Sequence, residues 1–257
     1  MTATPPGNQI PPEQQEMSLI EHLLELRNRL LKMVLAVLIC FALIYPFANE
    51  LYLWLSQPLR ELLPVNQTMI ATDVTSPFFA PLKLALVVSV FAAIPIILYQ
   101  LWKFVAPGLY AHEKRLAFPL LFTSVILFYT GAAFAYYVVF PLVFGFFTAI
   151  GPEGIVQLPD ITSYLNFVLK MFFAFGVAFE IPIATVLLIL TGATTPADLA
   201  EKRPYVVVAC FIIGMLLTPP DIISQTLLAV PMWILFEFGI IFGRIASRPA
   251  SGESAGE

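Results

Sequence analysis

Between Leu84 and Trp102 the chain contains no Asp, Glu, Lys or Arg. About 20 apolar residues in a helix cross roughly 30 Å of hydrocarbon, and a helix satisfies its own backbone N–H and C=O groups where no water can. Further apolar runs extend from about Leu30 to Phe47, Leu116 to Phe140, Tyr164 to Leu190, Tyr205 to Leu217 and Ile222 to Gly243. Pro141 interrupts the third run, which then continues to Ile150, and the fourth encloses Lys170 and Glu180. Apolar residues make up 59% of the chain and charged residues 12%. A soluble domain is nearer a quarter charged, so there is too little polar surface here to coat one. A net charge of -4 supplies no basic field for nucleic acid. The expected fold class is all-α: a polytopic membrane protein with six transmembrane helices in residues 18–244, between irregular tails at 1–17 and 245–257. There is no internal repeat. Residues Thr2 to Glu16 are rich in Pro, Gln and Asn and lack Lys and Arg, so they read as an irregular tail rather than the basic start of a signal peptide.

The Lys and Arg residues set the orientation. With the N-terminus in the cytoplasm, the inner side receives Arg27, Arg29, Lys32, Lys103, Lys114, Arg115, Lys202, Arg203, Arg244 and Arg248, and the outer side only Arg60, Lys83 and Lys170. The expectation is a cytoplasmic-membrane protein with both termini inside. The fifth run is short: Tyr205 to Leu217 makes only about 20 Å of helix. Either the bilayer thins around the Pro219-Pro220 turn, or Pro204 and its neighbours lengthen the helix.

Few groups can carry chemistry. Ser18 and Glu21 form an S-x-x-E pattern expected to cap a helix start. Leu19, Leu23, Leu26 and Leu30 then form one stripe, with Glu21, Glu25, Asn28 and Lys32 on another face, which predicts an amphipathic lead-in helix at the cytoplasmic surface. Glu25 either pairs with Arg29 at i+4, which spacing alone favours, or meets Glu113 as an anionic pocket at the cytoplasmic face. Glu113 adjoins Lys114 and Arg115 in a loop opened by Pro107-Gly108, and spacing alone makes that loop an ordinary solvated one. Paired carboxylates there would suit a ligand with two guanidinium groups.

Glu180 is the strongest intramembrane signal, because a charge at mid-span is costly and such residues face protein or a wet groove. Pro182 frees backbone carbonyls nearby, so a structural pairing of a protonated Glu180 stays open beside a functional role. Lys170 and Glu237 lie towards span ends, where long side chains snorkel to the interface. Asp221 is placed to cap the sixth helix, and Gln225 one turn on needs a partner if buried. Cys40 and Cys210 read as small apolar fillers. His22 and His112 are too far apart in sequence to suggest a metal pair. No catalytic, nucleotide-binding or cofactor motif is present, so neither an enzyme nor a cofactor is expected.

Seven stretches carry a family resemblance: His22-Leu-Leu-Glu-Leu-Arg27, Met69-Ile-Ala-Thr-Asp-Val-Thr-Ser-Pro-Phe-Phe79, Phe104-Val-Ala-Pro107, Tyr110-Ala-His-Glu-Lys-Arg115, Phe128-Tyr-Thr-Gly131, Ala174-Phe-Gly-Val-Ala-Phe-Glu-Ile-Pro182 and Met215-Leu-Leu-Thr-Pro-Pro-Asp221. In this order and spacing they resemble TatC, the multispanning core of the twin-arginine protein translocase. The resemblance implies a receptor for signal peptides with an Arg-Arg pair, a curved, glove-like wall of helices with short fifth and sixth spans, and transport of folded cargo driven by the proton gradient. It implies peptide binding at Glu25, Arg27, Phe104 and Glu113, which overturns the readings that spacing favours for Glu25 and Glu113. It further implies a groove acid at Glu180, partner docking at Met215, Thr218 and Gln225, and functional positions at Pro58 and Asp221. The implied partners are single-span subunits like TatB and TatA, membrane lipid and further copies of the chain.

Two other classes compete. A small-solute transporter would use Glu180 as a proton relay, but such folds usually show repeated halves. An intramembrane protease would need a catalytic pair, and only Glu180 and Asp221 lie near the required depth.

Overall fold

A computed structural model describes residues 12–61, 63, 68–105, 117–150, 158–217 and 222–246. Its regular structure among these residues is helical: α1 (Pro12–Ile44), α2 (Ala48–Leu55), α3 (Gln57–Arg60), α4 (Ser76–Val105), α5 (Ala117–Phe134), α6 (Phe140–Ile150), α7 (Ile161–Ala178), α8 (Ile181–Leu190), α9 (Pro196–Glu201), α10 (Arg203–Leu217) and α11 (Ile222–Ala246). Five segments are long and apolar enough to cross a membrane: Leu23–Arg60, Ser76–Phe104, Phe118–Ala149, Ile161–Leu190 and Gln225–Ala246. The apolar but shorter α10 is the sixth candidate, with 15 residues.

Lipid-facing chemistry is visible along α1. Leu23, Leu30, Leu35, Ile39 and Leu43 are exposed, whereas Arg29 is buried against the protein. That inverts the soluble pattern, as expected where the solvent is hydrocarbon. One continuous 33-residue helix replaces the separate lead-in and span expected from Ser18 and Glu21. The S-x-x-E pattern therefore lies inside a helix that is already formed at Pro12, within the segment expected to be an irregular tail. A capping signature spans only one turn, and one turn inside a longer helix looks the same.

The proline-bearing spans follow local rules. Pro141 does not end the third span. The five residues Ala135–Val139 open into a π-helical turn, and α6 continues from Phe140 with Pro141 in its first turn. Proline lacks the N–H for an α-helical bond and clashes with the preceding turn, and a π-bulge absorbs both defects while the chain stays helical. In the fourth span Pro182 sits in the first turn of α8, and the helix breaks at Phe179–Glu180. Arg203 and Pro204 open α10, lengthening it only to about 22 Å, still short of the hydrocarbon thickness. The expectation of two short closing spans holds for α10 and not for α11, which runs for 25 residues.

Successive spans alternate in direction, so the described ends of α1 and α11 share one end of the bundle, the terminal end. The short helices α2 and α3 cover the opposite, capped end, where Tyr164 Oη donates to the Leu55 carbonyl at 2.7 Å and Tyr52 Oη to that of Ile161 at 3.0 Å. The core gathers on α7, where Leu165, Val168, Met171 and Phe175 are buried with Leu84, Phe140 and Leu228. Phe140 meets Phe172 edge to face at 5.1 Å, as Phe91 meets Phe128. Lipid tails are as apolar as these side chains, so packing complementarity rather than transfer from water holds the helices together. Close packing is most evident where α11 crosses α8. Gly239 and Gly243 form a G-x-x-x-G pair facing Pro182, Thr185 and Ile189, with no room for a larger residue at Gly239. Cys210 is buried and Cys40 partly buried, both as free thiols.

Candidate functional site

Glu25 and Arg27 lie on α1 near the terminal end. Arg29 donates to Glu25 Oε1 through Nε at 3.1 Å and also through Nη2, the i+4 pair that spacing predicts. The Glu25 side chain stays 49% exposed while that of Arg29 is 10% exposed, so the pair presents its carboxylate outward. Arg27 is exposed, and its Nη2 lies 3.4 Å from Asn28 Oδ1. Phe104 is half-buried at the end of α4. α4 starts at the capped end, where Lys83 meets Asn166 near the start of α7, and packs along α1, so Glu25, Arg27 and Phe104 come to the same end of the bundle. Glu113 lies outside the described residues.

Glu180 occupies the break between α7 and α8. Its backbone N–H turns back to the Val177 carbonyl at 3.0 Å, and its own carbonyl accepts from Ala184 at 2.9 Å. The side chain is only partly exposed, and α8, which it precedes, packs against α5, the helix that carries Ser124. Glu180 Oε1 and Ser124 Oγ are nevertheless both buried without a hydrogen-bond partner among the described residues. Unsatisfied buried polar atoms are rare and cluster where a structure changes or works. Ser124 gave no signal in the sequence, because a lone serine in an apolar run reads as a small filler.

In the last hairpin Met215 is exposed on α10, while Gln225 of α11 donates through Nε2 to the Phe211 carbonyl at 2.8 Å. That bond supplies the partner a polar group in this position requires. Thr218 and Asp221 lie outside the described residues. Glu237, near a span end, has a protein partner. It accepts a two-pronged bond from Arg203, Nε to Oε1 at 2.7 Å and Nη2 to Oε2 at 2.8 Å, joining the start of α10 to α11. A partner 34 residues away leaves no trace in local spacing.

Pro58 lies in α3 at the capped end, beside a recess of about 420 Å³ that also involves Trp54, Glu61 and Tyr136. Trp54 and Tyr136 stack there with centroids 4.7 Å apart. A second feature of this end escaped the sequence reading. Asp160 caps α7, its Oδ1 accepting from Thr162 N at 3.1 Å and Ser163 N at 2.8 Å. Its Oδ2 accepts from Thr72 N at 3.1 Å and Thr72 Oγ1 at 2.8 Å, so one carboxylate clasps two loops. Backbone bonds from Ile70 N to the Pro159 carbonyl and from Ile161 N to the Ile70 carbonyl run alongside. The bond from the Ser163 backbone holds the Asp160 carboxyl down, at about 2. An Asp directly before an apolar run was the available signal for the cap, but not for Thr72.

Among the described residues no group of three His, Cys, Asp or Glu side chains is placed to hold a metal ion. The arrangement is one of anionic and polar positions at the ends and faces of an apolar bundle. A family model for "Sec-independent protein translocase protein (TatC)" matches residues 21–231. The Sec-independent protein translocase protein TatC of Azotobacter chroococcum mcd 1 is 58% identical over 96% of this chain and 97% of its own length. That of Escherichia coli K12 is 57% identical over 88% of each chain. A crystal structure of "Twin Arginine Translocase Receptor- TatC" superposes with a TM-score of 0.78 at 40% identity, covering 88% of this chain and all of that one. The chain therefore belongs to the TatC family of Sec-independent protein translocase proteins.

Proposed function

We propose that this protein is the receptor for twin-arginine signal peptides, and the core of a Sec-independent translocase that carries folded proteins across the cytoplasmic membrane on the proton gradient. The observation that carries this reading is its 58% identity, over nearly the whole length of both chains, to a TatC protein. It is thus a transport protein rather than a catalyst. Ten of the thirteen Lys and Arg residues fall on the side of the two termini, which supports a cytoplasmic location for both.

Glu25 and Glu113 receive the two guanidinium groups of the peptide in this reading, with Arg27 and Phe104 beside them. The half-exposed Glu25 carboxylate supports it, since Arg29 holds that carboxylate ready while an incoming arginine approaches from outside. Charge-assisted bonds at such a site are worth roughly 1.5–3 kcal/mol each. Single-span subunits like TatB and TatA dock along Met215, Thr218 and Gln225, with Asp221 in the adjacent outer turn, Pro58 in the first outer connection and Glu180 in a concave groove. Several copies of the chain assemble in the receptor complex. Folded cargo is far too wide for a passage within one six-helix monomer, so the role of this chain is recognition and recruitment.

The test is photo-crosslinking of a signal peptide carrying Arg-Arg or Lys-Lys to this protein in inverted membrane vesicles. The expected result is a strong Arg-Arg product and a much weaker Lys-Lys one, because lysine keeps the charge but loses the fork. Equal labelling by both peptides would remove the receptor assignment.

A further inference from the structure

A groove of about 880 Å³ opens between α4, α7, α10 and α11 in the half of the bundle nearer the capped end. Along α7 its lining runs Asn166, Lys170, Phe173 and Val177, one helix face about 16 Å long, the depth of one leaflet. Phe173 and Val177 are exposed, so the groove is open to whatever surrounds it. Two cations stand at its mouth. Lys83 of α4 donates Nζ to Asn166 Oδ1 at 2.5 Å, which fixes one ammonium over the groove. Lys170 is exposed and makes no hydrogen bond or ion pair among the described residues. Among the described residues no carboxylate lines the groove, and neither lysine is in an ion pair.

We infer that this groove is a binding site for one anionic phospholipid, whose phosphate sits between Lys83 and Lys170 and whose acyl chain lies along Phe173 and Val177. An amphipathic ligand with a negative head matches both halves of the site, whereas an apolar helix would match only the lower half and leave two ammonium groups facing hydrocarbon. Asn166 is a positioning residue, since its amide oxygen aims the Lys83 ammonium at the groove mouth and holds only one of its three N–H donors. The inference is independent of the signal-peptide reading, because it concerns the opposite half of the bundle.

The experiment reconstitutes the full chain in nanodiscs of equal parts phosphatidylglycerol and phosphatidylethanolamine, then counts retained lipids by native mass spectrometry. Wild type is expected to retain phosphatidylglycerol over phosphatidylethanolamine by about tenfold or more, and K83Q/K170Q by no more than about twofold. K83R/K170R, which keeps both charges, and K32Q/K202Q, which removes two charges elsewhere, should behave as wild type. A second measurement needs no variant: a photoactivatable phosphatidylglycerol should label the peptide containing Phe173 and Val177 in wild type, and the ethanolamine analogue should not. Equal retention of the two lipids by wild type, undiminished preference in K83Q/K170Q, or crosslinks from Phe173 to a partner helix in place of lipid would each overturn the proposal.

Discussion

Adding a single methyl group to α11 separates two contacts that look alike in the sequence. At Gly239 a Cβ would stand 2.8 Å from Thr185 Cβ, 2.9 Å from Thr185 Oγ1 and 3.0 Å from Pro182 Cα. None of these atoms can step aside. Pro182 Cα is backbone, and Thr185 is buried with its hydroxyl bonded to the Ile181 carbonyl at 2.8 Å. At Gly243 the Cβ would come within 2.1 Å of Ile189 Cδ1, a closer contact, yet one made by the far end of a flexible side chain that a rotamer change moves away. Overpacking against fixed atoms costs about 1–3 kcal/mol, and replacing a helical glycine returns up to about 1 kcal/mol, so Gly239→Ala should lose about 1–2 kcal/mol net. For Gly243→Ala the rotamer cost of about 0.5–1.5 kcal/mol roughly cancels the same gain. Thermal melting of the purified protein in detergent should show a Tm lower by roughly 2–8 °C for Gly239→Ala and almost unchanged for Gly243→Ala. A larger loss at Gly243 than at Gly239 would refute the view that the mobility of the atom opposite, rather than the distance, decides the cost.

Asp160→Ala should lower stability by about 1–2 kcal/mol at neutral pH, the sum of a lost helix cap and an exposed, partly screened tie to Thr72. The folded-state value of about 2 lies below the ordinary 3.8, so this contribution is fully present above about pH 4 and disappears as pH falls towards 2. The Tm gap between wild type and Asp160→Ala should therefore close on acidification, and a gap that stays constant to pH 2 would exclude the charged clasp. Glu180→Gln should leave insertion and abundance intact while changing partner crosslinking or transport; wild-type levels of both would return Glu180 to a structural role. Cysteine placed at Ser251, with Cys40 and Cys210 replaced, should resist an impermeant maleimide in intact spheroplasts, and labelling there would reverse the topology.

The parts of the molecule legible in the sequence are those set by one-dimensional patterns. Span positions follow from uninterrupted hydropathy, which the bilayer reads residue by residue, and the polar positions Glu180 and Gln225 stand out because their chemistry is rare in such surroundings, whereas Glu25 is singled out only by the family resemblance. Features that depend on distant partners were not legible. Arg203 reaches Glu237 and Thr72 reaches Asp160 only once the helices are packed, and neither pair has a periodic signature. The Ser18 and Glu21 pattern misled because helix caps and helix interiors share the same residue types when the neighbouring turns are also helical. At Pro141 the rule that proline breaks a helix was correct about the local defect. The surrounding apolar packing resolved that defect with a π-turn instead of a loop.

The central claim, that paired carboxylates at the cytoplasmic face recognise an Arg-Arg pair, is tested most directly by peptide affinity. An Arg-Arg signal peptide would be titrated against wild type, Glu25→Ala, Glu113→Ala and the double variant in nanodiscs, each first shown to be monodisperse. Removing one charge-assisted partner should weaken binding about tenfold or more, and the double variant should lose its preference for Arg-Arg over Lys-Lys. A double variant that binds the Arg-Arg peptide as tightly as wild type, and still prefers it over Lys-Lys, would contradict the account.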